Sequence, residues 1–284
     1  MIKIAAMVGT PDLQIDTLAV YGGDLEAAFG KLAALGYDGV EFMTRDPAQL
    51  DGARIRRSLD ENRLELAGLC TGHVYGEDGL GLVGPDPDKC RRAMARMKDL
   101  VDFAAELDPK PLGSGDKGPP VNIGRSRGPG YPNDTARTLD HMAEAFQELA
   151  DYALPRGVRL VLEPINVHQA QVIHTTQDGL AMVRQVNRPN FGLMLDVYHM
   201  NIEDVDIYDS FREAGELCWF VHLADNNRKW PGSAHLDFER IVGVLNEIGY
   251  AGFVSLEILP WPDPDTAARS SIESLRRFIP RRDT

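Results

Sequence analysis

Short apolar runs alternate with longer amphipathic stretches from one end of this chain to the other. No other feature limits its fold as much. The apolar runs fall near residues 2–8, 38–43, 64–70, 120–124, 158–163, 191–196, 218–224 and 253–258. Helical periodicity occupies the intervals near 24–35, 47–62, 87–107, 134–154, 176–187, 203–214 and 237–248, with a last stretch near 265–279. In the third of these, Met94, Met97, Val101 and Ala104 recur on one face and Arg and Lys fill the others, the pattern of a helix with one buried stripe. Gly36, Gly157 and Gly249 each stand between a helical stretch and the next apolar run, where a helix-terminating glycine is expected. Eight strands alternating with eight helices predict an α/β fold, a single (β/α)8 barrel over residues 1–284. A doubly wound sheet is the second choice, but no GxGxxG follows the first strand.

The length of 284 residues fits this reading, since single α/β barrels commonly run to about 250 residues and more. Lys and Arg number 30 against 43 Asp and Glu, a formal net charge of −13. That balance argues against a nucleic-acid or anionic-membrane coat, which needs clustered cations. Cys70, Cys90 and Cys218 are an odd, widely spaced set without a CxxC pair, as expected in a reducing compartment. The first apolar run is too short for a signal-peptide core or a membrane span, so a cytoplasmic location is expected. Residues 109–132 hold six Pro and six Gly around one short strand, which forbids helix and predicts loops at both ends of that strand.

The last four apolar runs carry the chemical information. They read VRLVLE, FGLMLD, CWFVH and FVSLE, ending in Glu163, Asp196, His222 and Glu257. The separations of 33, 26 and 35 residues each approximate one βα unit. In a parallel barrel all strands end on one face, so the four side chains should converge there. Strand alternation agrees, pairing Val161 with Glu163, Met194 with Asp196, Phe220 with His222 and Ser255 with Glu257. A lone strand-end glutamate is commonly a solvated or capping group, and a lone histidine a hydrogen-bonded core residue. Four in consistent parity point instead to a divalent cation, and the oxygen-plus-imidazole set suits Mn²⁺, Mg²⁺, Co²⁺ or Zn²⁺.

These residues also carry a resemblance. LEPIN at 162–166, LDVYH at 195–199, VHLADNNR at 221–228, PGSAHLDF at 231–238 and GYAGFVSLEI at 249–258, with GYDGVEF at 36–42, resemble the xylose isomerase-like barrel superfamily of sugar isomerases and epimerases. The pattern is close to ketose 3-epimerases and hydroxypyruvate isomerases, and it spans essentially the whole chain. The resemblance implies that Glu163, Asp196, His222 and Glu257 hold one divalent metal, with Mn²⁺ the leading choice. It also implies that His199 and Arg228 contact substrate oxygens. The implied substrate is a small carbohydrate. Epimerising or isomerising it beside the carbonyl requires removing a carbon-bound proton, a task for Glu163 and Glu257 as acid and base. Helix capping by His199, and pairing of Arg228 with Asp225 or Asp237, are the structural alternatives.

Ketose 3-epimerases of this group commonly carry a further Glu six residues after the metal-binding Glu of the fifth strand. Here that position is Gln169, and His168 or His174 could take part instead. Glu41 and His73, at the ends of the second and third strands, are further candidate substrate contacts. Arg125 and Arg127 follow the fourth strand and could grip a carboxylate or phosphate bidentately. Trp261 could wall the sugar. A metal-dependent lyase or dehydratase on the same barrel is the second functional reading. Apurinic endonuclease chemistry is disfavoured by charge and by the HLD order at 235–237. A non-catalytic binding module is the last reading, to be dismissed by loss of activity in folded Glu163→Gln and Glu257→Gln variants. A homo-oligomer is compatible with the sequence, which does not set the assembly.

Overall fold

The structure is a computed structural model, which describes residues 1–15, 18–109 and 118–281. Strands β1 (Lys3–Gly9), β2 (Tyr21–Gly22), β3 (Gly39–Met43), β4 (Glu65–Cys70), β5 (Pro120–Ile123), β6 (Arg159–Leu162), β7 (Phe191–Asp196), β8 (Cys218–His222) and β9 (Phe253–Leu256) form one parallel sheet. Each long strand pairs with the next, and β9 pairs back onto β1 through Ile4 opposite Val254, closing an eight-stranded barrel. The two-residue β2 is an extra strand beside the end of β1. It was not expected from the sequence, where so short a pairing has no period to read.

Helices α1 (Leu25–Leu35), α2 (Gly52–Asn62), α3 (Gly72–Gly76), α4 (Pro87–Leu107), α5 (Thr135–Ala153), α6 (Thr176–Val186), α7 (Val197–Glu203), α8 (Ile207–Ala214), α9 (Phe238–Glu247) and α10 (Pro264–Leu275) connect the strands. The helix expected near 203–214 is α8, which starts at Ile207, and the short α7 ahead of it was not expected from the sequence. Asp204 leaves α7 to accept from Thr176 N and Oγ1, and Asp206 caps α8 by accepting from the N–H groups of Tyr208 and Asp209. Part of the acidic excess has a structural use. Aspartates 24, 51, 86, 134, 196, 206, 237 and 263 each cap a helix N-terminus through the side chain, where orphan N–H groups and the helix dipole favour a carboxylate.

The barrel interior is layered. Ala5, Ala67, Val161, Met194 and Phe220 make a compact apolar cluster inside it. Gly192 lets the Trp219 ring approach so closely that a Cβ would lie 2.5 Å from it. Two residues further along β6, β7, β8 and β9, the inward positions become Glu163, Asp196, His222 and Glu257. The apolar layer is thus the floor of the site. In the Pro/Gly-rich segment the structure describes β5 and a 3₁₀ turn at Arg125–Arg127; residues 110–117 lie outside the described residues. Among the described residues, no helix is long and apolar enough to cross a membrane.

Candidate metal centre

Glu163, Asp196, His222 and Glu257 are all buried, and one ligand-capable atom from each lies within 4.8 Å of all the others. Two full negative charges at that separation repel by about 3 kcal/mol at an effective dielectric near 20. Three carboxylates therefore require a cationic partner. Burial, reinforced by the neighbouring Asp196, pushes the Glu163 carboxyl above its ordinary range. Burial opposes ionisation of Asp196 too, but Arg228, His199 and His222 outweigh it and hold that carboxyl low.

Each ligand is oriented by a neighbour. The Glu163 Oε2 accepts from Asn122 Nδ2 at 3.1 Å. It lies against Gly124, where a Cβ would approach to 2.5 Å, so only glycine leaves room for the carboxylate. Asp196 Oδ1 accepts from Tyr198 N at 2.9 Å as the N-cap of α7, which leaves Oδ2 facing the centre. His222 donates from Nε2 to both oxygens of Glu41, at 2.9 and 3.0 Å. A carboxylate has no proton to give, so Nε2 carries a hydrogen, and in the neutral ring Nδ1 keeps its lone pair. Burial works against the charged ring, but Glu41, Glu163 and Asp196 raise the His222 pKa, so a cation at Nδ1 takes the place of a proton there. That Nδ1 is buried without a hydrogen-bond partner, 3.4 Å from Glu257 Oε2. An orphaned imidazole nitrogen facing three carboxylates is a donor set that fits a divalent cation.

The sequence-predicted substrate residues distribute unevenly around this centre. His199 Nε2 lies 3.7 Å from both Glu163 Oε1 and Asp196 Oδ2. Its Nδ1 accepts from Asn166 Nδ2 at 2.7 Å, which places the ring hydrogen on Nε2, toward the site. Burial lowers its pKa to about 4, so the ring is neutral. It does not cap α7, because Asp196 does. Arg228 donates to Asp196 Oδ2 at 2.6 Å and to Glu257 Oε2, and it stacks over the Tyr198 ring. It pairs with neither Asp225 nor Asp237. Asp225 is instead buried beneath the loop after β8, accepting from the N–H groups of Asn226, Gly232, Ala234, His235 and Leu236.

Glu41 is fully engaged by His222 and lies behind that ligand, so its carboxylate is not presented to a substrate. Arg127 also departs from expectation. It is 2% exposed, and its guanidinium donates to the carbonyls of Glu163, Val172 and Ile173 at 2.6, 2.9 and 3.3 Å. Those bonds commit it to the scaffold. Arg125, two residues earlier in the same turn, is exposed. His73, on α3, lies 3.0 Å from Glu77. His168 is exposed in the loop after β6, with its N–H on Asn166 Oδ1 at 3.1 Å. His174 contacts the Ala170 carbonyl, and Trp261 is half exposed under the Lys229 ammonium. Sequence reading missed Asn122 and Asn166, and it gave Asp225 only as an alternative partner of Arg228, where the structure has it brace the loop after β8. Asn122 was visible as the one polar residue in the apolar run PVNI.

A buried carboxylate and imidazole site in the mouth of a closed (β/α)8 barrel defines a metal-competent barrel enzyme. The family model for the xylose isomerase-like TIM barrel matches residues 29–278, and the chain belongs to that family. It is 31% identical over 243 residues to the L-ribulose 3-epimerase of Methylomonas sp. (strain DH-1), covering 84% of this chain and 81% of that protein. It is 30% identical over 229 residues to the ketose 3-epimerase of Arthrobacter globiformis, covering 80% and 75%. The crystal structure of D-allulose 3-epimerase from Methylomonas sp. in complex with D-allulose superposes with a TM-score of 0.76 at 25% identity, covering 97% of this chain and 98% of that one. These relatives are isomerase-type enzymes.

Proposed function

We propose that the protein epimerises or isomerises a small keto-sugar beside its carbonyl, using one divalent cation held by Glu163, Asp196, His222 and Glu257. The observation that carries this reading is the orphaned His222 Nδ1 among three buried carboxylates, a charge set that the single guanidinium of Arg228 does not balance. Mn²⁺ is the first choice for the cation, since the four clustered ligands offer carboxylate oxygens and one imidazole. A bound cation supplies Lewis acidity at the substrate's carbonyl and adjacent hydroxyl.

The remaining work falls to this chain. Glu163 and Glu257 directly follow β6 and β9, which are separated by two strands, and reach the site from different directions. One takes the carbon-bound proton and the other returns it, so a proton removed from one face of the carbon can be replaced on the other. Burial raises the Glu163 carboxyl above its ordinary range, which suits it to accepting a proton. His199 presents a neutral Nε2–H to the developing oxyanion of the enediolate, a contribution of about 3 kcal/mol for a preorganised donor. Arg228 adds fixed positive charge beside it.

The test is proton exchange in D₂O, followed by NMR with a panel of ketoses. Deuterium should enter at the carbon beside the carbonyl with conservation of the sugar formula, and Glu163→Gln and Glu257→Gln should each abolish it in folded protein. Loss of water or another leaving group in place of exchange would overturn the reading in favour of elimination.

A further inference from the structure

A recess with a volume of about 650 Å³ lies among the segments that follow β4, β5 and β6, with a lining that includes Tyr75, Arg125, Arg127, His168, Gln169 and Gln171. That size falls within the range of small-molecule sites. Among the described residues that line it there is no Asp or Glu, although the chain carries 43 of them. Arg125 is exposed there, and among the described residues no carboxylate pairs with it. Arg127 contributes a second positive charge to the wall, bonded to carbonyls rather than to an acid. A pocket of this kind in an acidic protein is an island of positive potential.

Its connection to the centre is covalent and short. Gly124, which packs on the Glu163 carboxylate, immediately precedes Arg125. On the other wall, His168 N and Gln169 N are bonded to Asn166 Oδ1 and O, and the amide of Asn166 holds His199. A substrate with its carbonyl end at the centre would direct its other end past Gly124 toward Arg125. A guanidinium free of internal partners recognises planar or tetrahedral anions bidentately.

We propose that this recess is an anion subsite and that the substrate is an acidic keto-sugar, bearing a carboxylate or phosphate that Arg125 binds. This inference rests on the keto-sugar reading above. Gln169 supports it, because a neutral amide tolerates an anion that a carboxylate at that position would repel.

The experiment compares the metal-loaded protein with its Arg125→Gln, Arg125→Lys and Gln169→Glu variants. The probes are ribulose 5-phosphate, 5-ketogluconate and neutral fructose, with binding read by calorimetry and turnover by D₂O exchange. At least one anionic probe should bind tenfold or more tighter than fructose. Arg125→Gln should cut that preference at least tenfold, Gln169→Glu should also reduce it, and Arg125→Lys should fall between. Whether the increment appears with the phosphate or the carboxylate identifies the anion. Equal binding of fructose and both anions, or a preference unchanged in Arg125→Gln, overturns the subsite. Calorimetry decides this even without turnover. By contrast, absence of exchange with every probe defeats the epimerase reading alone.

Discussion

Glu41 on β3 and His222 on β8 lie 181 positions apart in the chain, yet both Glu41 oxygens sit within 3.0 Å of His222 Nε2. The pair is fully buried, His222 at 0% and Glu41 at 1% exposure. A carboxylate behind a metal-facing imidazole fixes both its tautomer and its ring orientation. Glu41 thus acts through His222.

Glu41→Gln should weaken divalent-cation binding by about 10- to 100-fold, the usual consequence of losing such a partner. An amide can still accept from Nε2–H, so the fold should survive. Titration of chelator-stripped protein with Mn²⁺ and Co²⁺, followed by calorimetry, measures the change. Unaltered affinity with altered KM would instead make Glu41 a substrate contact.

Arg127 calls for a different measurement, because its three carbonyl acceptors are buried with it. Burial holds its pKa down to about 10, still high enough to keep the charge at neutral pH. Arg127→Met should destabilise the protein by about 3 to 5 kcal/mol, the cost of stranding several buried acceptors and losing the packing. Denaturant unfolding at pH 7 reads this directly. Arg125→Gln, at an exposed position in the same turn, should change stability by no more than about 0.5 kcal/mol.

The contrast between these two arginines shows where sequence reading stops. The strand-end acids and His222 were legible because a strand has a strict period of two and a barrel opens every strand on one face. Those two rules place four side chains without any knowledge of their neighbours. Arg125 and Arg127 belong to a 3₁₀ turn, whose three residues point in three directions, so spacing alone cannot say which faces the mouth. Glu41 obeyed the strand rule and did face inward. Its partner came from across the barrel, a distance set by closure and not by local pattern. The break between α7 and α8 was hidden for a related reason. Asp204 is drawn out of α7 by Thr176 of another βα unit.

His199 links the site to the pH dependence of stability. Burial lowers its folded pKa to about 4, against about 6.5 for an exposed histidine. Below pH 6.5 the unfolded chain takes up a proton that the folded chain refuses until near pH 4. Stability from this residue is therefore fully present above pH 6.5 and is lost as the pH falls toward 4. Between pH 7 and pH 5 the loss should amount to about 2 kcal/mol. In His199→Gln the glutamine does not titrate, so the difference in unfolding free energy between those two pH values should be smaller than in the wild type by that amount. Urea unfolding of both chelator-treated proteins at each pH makes the comparison, and titrating groups remote from the site cancel between them. Parallel wild-type and variant profiles would mean that His199 is protonated in the fold, which would leave Nδ1 unable to accept from Asn166.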